Sequence, residues 1–119
     1  MKAVVAEDLI KTPSLGKTKL LDPVKERMDI FFQKRIFSGE AREVVYREAE
    51  DAFRNQLDDK DGITGVWQGE FWGKWMISAV RVCEYSGDAK LKDFIRRGVD
   101  NMPHLQQADG HLGTYRGRL

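Results

Sequence analysis

Apolar residues recur at helical spacing in four stretches of the chain, and this pattern predicts four helices. The first is predicted to begin at Asp22-Pro23, where the aspartate would cap the helix and the proline would occupy its first position. It is predicted to end at Ser38-Gly39. Its inward face would be formed by Val24, Met28, Phe31 and Phe32.

The second and third predicted helices differ in the width of their apolar faces. The second covers about residues 40–56 and has a single stripe at Val45, Ala49 and Phe53. The third, residues 67–85, is apolar around most of its circumference. Its polar positions form a narrow strip at Lys74, Ser78, Arg81 and Glu84. A helix of this kind is buried by neighbours on several sides, and three one-sided helices cannot easily surround it.

The fourth predicted helix covers about residues 89–106 and is amphipathic. In the turn before it, Gly87 is expected to take a positive φ and Asp88 to cap the helix. Pro103 is expected to kink the last turn, and Asp109-Gly110 predicts a tight turn beyond it. The positions predicted to face inward are Leu91, Phe94, Ile95, Val99 and Met102.

These elements indicate an all-α fold built from helical hairpins, arranged as inner and outer helices. Residues 1–21 show no sustained periodicity and are predicted to form an extended N-terminal arm, with the hairpins following over residues 22–119. The acidic stretch at residues 58–62 lacks the spacing of a hand-type calcium loop and is interpreted as a solvated loop. Cys83 falls on an apolar helix face and is interpreted as a buried core thiol.

Composition narrows the possible functions. The 20 basic and 19 acidic residues nearly balance, so no electrostatic footprint for nucleic acid or an anionic membrane is expected. One cysteine excludes an internal disulfide framework, and two histidines argue against a zinc site built from this chain alone. Residues 1–8 do not form a signal peptide as written, which leaves two readings: a cytoplasmic protein, or an exported one whose signal was trimmed.

Three segments together resemble the bacterial β-L-arabinofuranosidase-like glycoside hydrolases. They are the tryptophan-rich stretch at residues 65–76, the Gly87-Asp88 turn within residues 85–88, and residues 106–115 with their Asp-Gly-x-Leu-x-Thr-Tyr pattern. The resemblance implies an α/α toroid of six helical hairpins, of which this chain would form the first part. It departs from the family at His111, where a tyrosine is usual.

The resemblance also implies which functional parts this chain would carry. The catalytic glutamate and the zinc-binding cysteines of such enzymes are expected in segments beyond residue 119. The chain alone is therefore expected to be inactive, without a cofactor, while zinc remains possible in the full-length parent. Its candidate substrate-binding residues are Trp67, Gln68, Glu70, Asp109, His111, Thr114 and Tyr115.

Each candidate also has a purely structural interpretation. The aromatic side chains of these segments could pack against sugar rings or fill the core, and the core is favoured for Trp75; they are Trp67, Phe71, Trp72, Trp75 and Tyr115. Glu70 could bind a sugar hydroxyl, or it could only stabilise its helix by interacting with the positive end of the helix dipole. Asp109 and its neighbours could form the rim of an active site or only a turn. No catalytic or metal-binding residue is assigned.

The leading hypothesis is therefore an N-terminal fragment of a glycoside hydrolase acting on arabinofuranoside-like or related plant-type glycans. Its expected partners are a carbohydrate substrate and either the remainder of the toroid or further copies of the chain. One alternative is a stand-alone helical module that buries its third helix by oligomerising or against a partner. Another is a different sugar-active enzyme on the same scaffold, such as an epimerase or an unsaturated glycuronyl hydrolase.

Overall fold

A computed structural model describes residues 13–57 and 67–115. Over these ranges the protein is helical and contains no β-strand, which confirms the all-α prediction. The α-helices are α1 (Val24–Phe31), α2 (Glu48–Leu57), α3 (Gln68–Ser86) and α4 (Ala89–Asn101). The predicted loop at residues 58–62 lies outside the described residues.

The N-terminal arm is not wholly extended. Leu15–Lys17 form a turn of 3₁₀-helix that packs against α3, which corrects the prediction for this part of the arm. Gly16 lies here against the end of α3, since a Cβ on it would stand 3.2 Å from the carbonyl oxygen of Glu84. The arm therefore helps to cover α3, whereas residues 1–12 lie outside the described part of the chain.

The first predicted helix is present but differs in its cap and in its buried face. Asp22 does not cap it: Pro23 occupies the N-cap position, and the first helical residue is Val24. After α1 the chain continues as a wider π-type turn, Phe32–Ile36, closed by a hydrogen bond from the Phe37 N–H to the Phe32 carbonyl at 2.8 Å. Ile36, at the end of this wider turn, is buried, whereas Val24 and Phe31, which precede it, are exposed and do not form the predicted inward face.

The second predicted helix is likewise composed of two parts. A π-type segment, Ala41–Arg47, leads directly into α2, and the hydroxyl of Ser38 accepts a hydrogen bond from the N–H of Ala41 at 3.0 Å. Ala49 and Phe53 are buried as predicted. The side chain of Val45 is outside the description.

The α3–α4 hairpin follows the prediction closely. Gly87 has a φ of 67°, and its N–H donates to the carbonyl of Cys83. Asp88 caps α4, because its carboxylate accepts the N–H of Leu91 at 2.7 Å. The helix then tightens into a 3₁₀ turn, Met102–Leu105, that contains Pro103. Val99, which was predicted to face inward, is exposed.

Helix α3 lies at the centre of the fold. It packs against α2, α4 and the arm, and it buries Trp75, Met76, Ala79 and Val82. The ring of Tyr46 packs against Trp75 and Phe94, with centroid distances of 5.9 and 4.7 Å, and those two rings also meet edge to face at 5.8 Å. Gly98 allows this arrangement, because a Cβ there would lie 2.5 Å from the Tyr46 hydroxyl oxygen.

One side of α3 remains open. Ile77 is 61% exposed and Val80 is 43% exposed, although both belong to the helix that was predicted to be apolar on nearly all sides. They line a shallow groove of about 650 Å³ that runs from Trp72 to Glu84. In the described part of the chain, no helix is both long enough and apolar enough to cross a bilayer.

Candidate functional site

The two halves of the predicted substrate-binding set meet at the start of α3. The N–H of Gly69 donates a hydrogen bond of 3.3 Å to the hydroxyl oxygen of Thr114, 45 residues further along the chain. Gly69 makes this contact possible, because a Cβ there would stand 3.1 Å both from Phe53 and from the Thr114 hydroxyl. Trp67 occupies the N-cap position of α3 and provides no side-chain cap. Thr114 therefore supplies, from a distant loop, the cap that this helix lacks locally.

The loop that carries Thr114 is held by its own hydrogen bonds. The N–H of Gly110 donates to the Gln107 carbonyl at 2.9 Å, and the N–H of Gln107 donates to the His111 carbonyl at 2.8 Å. The carboxylate of Asp109 accepts the N–H of His111 at 3.0 Å, and Gly110 has a φ of 88°. The tight turn predicted at Asp109-Gly110 is thus present, and Asp109 contributes to its geometry.

Three aromatic side chains are exposed around the Gly69–Thr114 contact. Trp67 is 52% exposed, Phe71 follows it one helical turn later, and Tyr115 comes directly after Thr114 with 46% exposure. Such faces can pack against the C–H face of a sugar ring. Trp67 and Tyr115 are therefore not core residues. Trp75, in contrast, is buried, as its core interpretation required.

Polar candidates flank these aromatic residues. The carboxylate of Glu70 is paired with Lys74 at 2.6 Å across one helical turn, and both side chains are largely exposed. Gln68 is half-buried and faces α2 across a small polar groove. Glu70 lies three residues after Trp67 on the helix, and the other candidate carboxylate, that of Asp109, accepts the N–H of His111 within its own turn.

The loop candidates occupy contrasting environments. Thr114 is only 1% exposed, so its hydroxyl serves the α3 N-terminus and is closed to a ligand in this arrangement. His111 is exposed and its ring lies over Gly113, where a Cβ would stand 2.6 Å from Nε2. Tyr115 and Asp109 are also exposed. Phe71, which the aromatic pattern also suggested as a sugar-lining side chain, is 48% exposed and lies four residues after Trp67 on the same side of the helix.

Neither Cys83 nor the histidines form a reactive or metal-binding centre in the described ranges. Partial burial raises the pKa of the Cys83 thiol, with Lys92 opposing the shift, and Sγ lies 3.8 Å from the Asp88 carbonyl oxygen. No group of three histidine, cysteine or acidic side chains with metal-binding geometry occurs within residues 13–57 and 67–115. The donor set of the described residues does not fit the zinc that the resemblance implies, and no metal-dependent step is assigned to them.

Comparison of the chain with protein-family models, curated proteins and solved structures finds no match.

Proposed function

We propose that this chain forms part of the substrate-facing end of a carbohydrate-active enzyme, a glycoside hydrolase acting on arabinofuranoside-like or related plant-type glycans. The observation that carries the proposal is the contact between Gly69 and Thr114. It joins two of the three segments that bear the family resemblance, and it leaves Trp67 and Tyr115 exposed beside it.

The chemistry of this surface suits binding better than catalysis. Exposed aromatic rings provide stacking faces for sugars, and Glu70, Asp109 and His111 provide exposed hydrogen-bonding groups nearby in the chain. Glycosidic cleavage needs two carboxylates flanking the bond, or one carboxylate and another nucleophile. In this proposal those groups, and any zinc, belong to other segments of a parent protein, and the chain contributes only part of the substrate rim.

The open side of α3 supports the idea of a larger helical assembly. In an α/α toroid, inner helices are covered on both sides by neighbouring hairpins, and here Ile77 and Val80 have no such cover from the described residues. We propose that further hairpins of the same toroid occupy this side.

The proposal is tested by assaying the full-length gene product that contains this chain on aryl α- and β-glycosides, with and without substitutions in the rim. Trp67→Ala and Tyr115→Phe should lower kcat/KM by about ten- to a hundredfold, the loss expected for one or two substrate contacts. Phe31→Ala, at an exposed aromatic position on α1, is the matched control and should have no effect. A correctly folded protein that hydrolyses no glycoside would contradict the proposal.

One alternative rests on the same apolar face of α3. If Ile77 and Val80 are covered by a second copy or by another protein, the chain is a helical interaction module. A stable oligomer in which Ile77 is protected, together with unaltered behaviour of Trp67→Ala in every glycan assay, would favour this alternative. The other alternative is an epimerase or an unsaturated glycuronyl hydrolase on the same scaffold. In that case Trp67→Ala would still lower kcat/KM, but the enzyme would form a different product.

A further inference from the structure

A second groove is lined by none of the residues proposed to bind substrate. It has a volume of about 480 Å³ and runs between α4 and the segment that joins the first two helices. This volume falls within the range of small-molecule sites. The groove is lined by Phe37, Arg42, Lys90, Asp93, Phe94, Arg96 and Arg97.

Positive charge is concentrated in this groove. Four of its seven lining residues are basic and one, Asp93, is acidic, whereas the whole chain carries 20 basic and 19 acidic residues. Among the described residues, none of the four basic side chains forms a salt bridge. Arg42 makes a single long hydrogen bond, from Nε to the Ser38 carbonyl at 3.4 Å. The groove therefore presents cationic donors that the described structure leaves largely unsatisfied.

Two of the guanidinium groups are oriented by aromatic rings. The Arg42 guanidinium carbon lies 4.8 Å from the ring centroid of Phe37, and that of Arg97 lies 6.0 Å from the centroid of Phe94. The two rings meet edge to face with centroids 6.2 Å apart. A guanidinium held over a ring keeps its N–H edge available, so its capacity to bind an anion in bidentate fashion is preserved while its mobility falls.

We propose that this groove binds a phosphate monoester with a compact ring-shaped body, such as a sugar phosphate. The guanidinium groups of Arg42 and Arg97 match the planar, bidentate geometry that phosphate accepts, and Lys90 and Arg96 add charge at the rim. The volume exceeds what a bare phosphate fills, and the Phe37–Phe94 pair offers an apolar surface to the ring. The site is independent of the proposed carbohydrate rim, with which it shares no residue.

The test is isothermal titration calorimetry of the full chain with glucose 6-phosphate, inorganic phosphate and glucose at low salt. Glucose 6-phosphate should bind, inorganic phosphate should bind about tenfold more weakly or worse, and glucose should not bind. Arg42→Gln with Arg97→Gln should weaken the binding of glucose 6-phosphate at least about tenfold, as expected for loss of charge-assisted hydrogen bonds. Arg27→Gln with Arg54→Gln removes equal charge from exposed positions elsewhere and should leave the affinity unchanged.

A second variant guards against a folding defect. Lys90 and Arg96 are exposed and take part in neither ring contact, so Lys90→Glu with Arg96→Glu should retain the melting temperature while also abolishing binding. Absence of glucose 6-phosphate binding would overturn the proposal. So would equal affinities for glucose 6-phosphate and inorganic phosphate, or equal losses in the groove variants and the Arg27/Arg54 control.

Discussion

At the scale of single residues, the backbone conformation at Gly87 favours glycine over any residue that carries a Cβ. Its φ of 67° lies in the left-handed region, which a Cβ makes costly. Gly87→Ala is therefore expected to lower the free energy of unfolding by about 1 kcal/mol, measured by urea denaturation.

Gly73 provides the matched control for this substitution. It lies within α3, and a Cβ there would meet nothing within 4 Å. Gly73→Ala should therefore raise stability by up to about 1 kcal/mol, because alanine favours the helix. If both variants changed stability in the same direction, the left-handed conformation at Gly87 would not be the cause.

The hydroxyl of Tyr46 gives a pH-dependent prediction. Burial, followed by a hydrogen bond with Glu50, holds the pKa of Tyr46 above its usual range. The unfolded chain releases this proton near pH ~10 while the folded protein retains it, so stability is unaffected below that pH and falls above it. Tyr46→Phe should make the decline between pH 9 and 11 shallower, as measured by denaturation midpoints.

Tyr115→Phe is the control for Tyr46→Phe, because Tyr115 is exposed and lies outside the core. It should reproduce the pH profile of the unmodified protein. An identical slope in the Tyr46→Phe variant would show that other groups determine the alkaline decline.

Residue-level predictions succeeded at the α3–α4 turn, although the same local chemistry did not make Asp22 the cap of α1. Gly87 and Asp88 follow from the chemistry of a helix end and the next helix start, and both take the predicted roles. The prediction that Val99 faces inward was wrong, because its burial depends on which neighbours pack against that side of α4. Periodicity alone does not contain that information. The burial of Thr114 also depends on tertiary packing, because its hydrogen-bond partner, Gly69, lies 45 residues away in the chain.

At the scale of elements, the capping of α3 by Thr114 is the contact most open to experiment. Thr114→Val preserves shape but leaves the N–H of Gly69 without its acceptor, and should cost about 1–3 kcal/mol in the free energy of unfolding. Thr114→Ser retains the hydroxyl and should cost less. Chemical denaturation of the two variants measures the difference.

Thr18→Val is a suitable control for the loss of a threonine hydroxyl. The Thr18 hydroxyl donates to the Ser14 carbonyl within the exposed arm, so its removal should change stability by less than about 0.5 kcal/mol. Equal stability of Thr114→Val and Thr114→Ser would show that the hydroxyl does not support α3.

Helix boundaries were predicted more accurately in the second half of the described structure than in the first. The α3–α4 hairpin has a glycine and a capping aspartate that define its turn: α3 ends at Ser86, one residue beyond its predicted end, and α4 begins at Ala89 as predicted. The first two helices each contain a π-type segment, Phe32–Ile36 and Ala41–Arg47. These segments do not have the 3.6-residue spacing of an α-helix, so the α-helical parts, Val24–Phe31 and Glu48–Leu57, are shorter than the predicted helices.

At the scale of the whole molecule, the open side of α3 predicts association. Several large apolar side chains around Ile77 and Val80 remain in contact with water, and each would gain roughly 1.5–3 kcal/mol from full burial. The isolated chain should therefore self-associate or bind a hydrophobic dye at micromolar concentration. Ile77→Lys should reduce both effects without lowering the melting temperature.

Ile30→Lys controls for the added charge, because Ile30 is exposed on α1, away from this groove. It should leave association and dye binding unchanged. A monodisperse monomer that binds no dye would contradict the prediction and would indicate that the helices close a complete core.

The all-α class and the central position of α3 were thus predictable from apolar periodicity, and the convergence of residues 67–70 with residues 109–115 agrees with the order of the motifs. The sequence did not predict the basic groove beside α4. Its residues lie on three separate segments, and only the packing of Phe37 against Phe94 brings their charges to one surface.

The hydrogen bond between Gly69 and Thr114 also provides a spectroscopic reporter. The Gly69 amide belongs to the first turn of α3, where an N–H without a partner would exchange rapidly with solvent deuterium. Its protection factor therefore measures how often the loop at residues 106–115 leaves the helix. Glycine amide resonances are often resolved in proton–nitrogen correlation spectra, so this one signal could follow loop undocking in real time. If a sugar binds to both Trp67 and Tyr115, it should hold the loop against the helix and so slow the exchange of the Gly69 amide without contacting it.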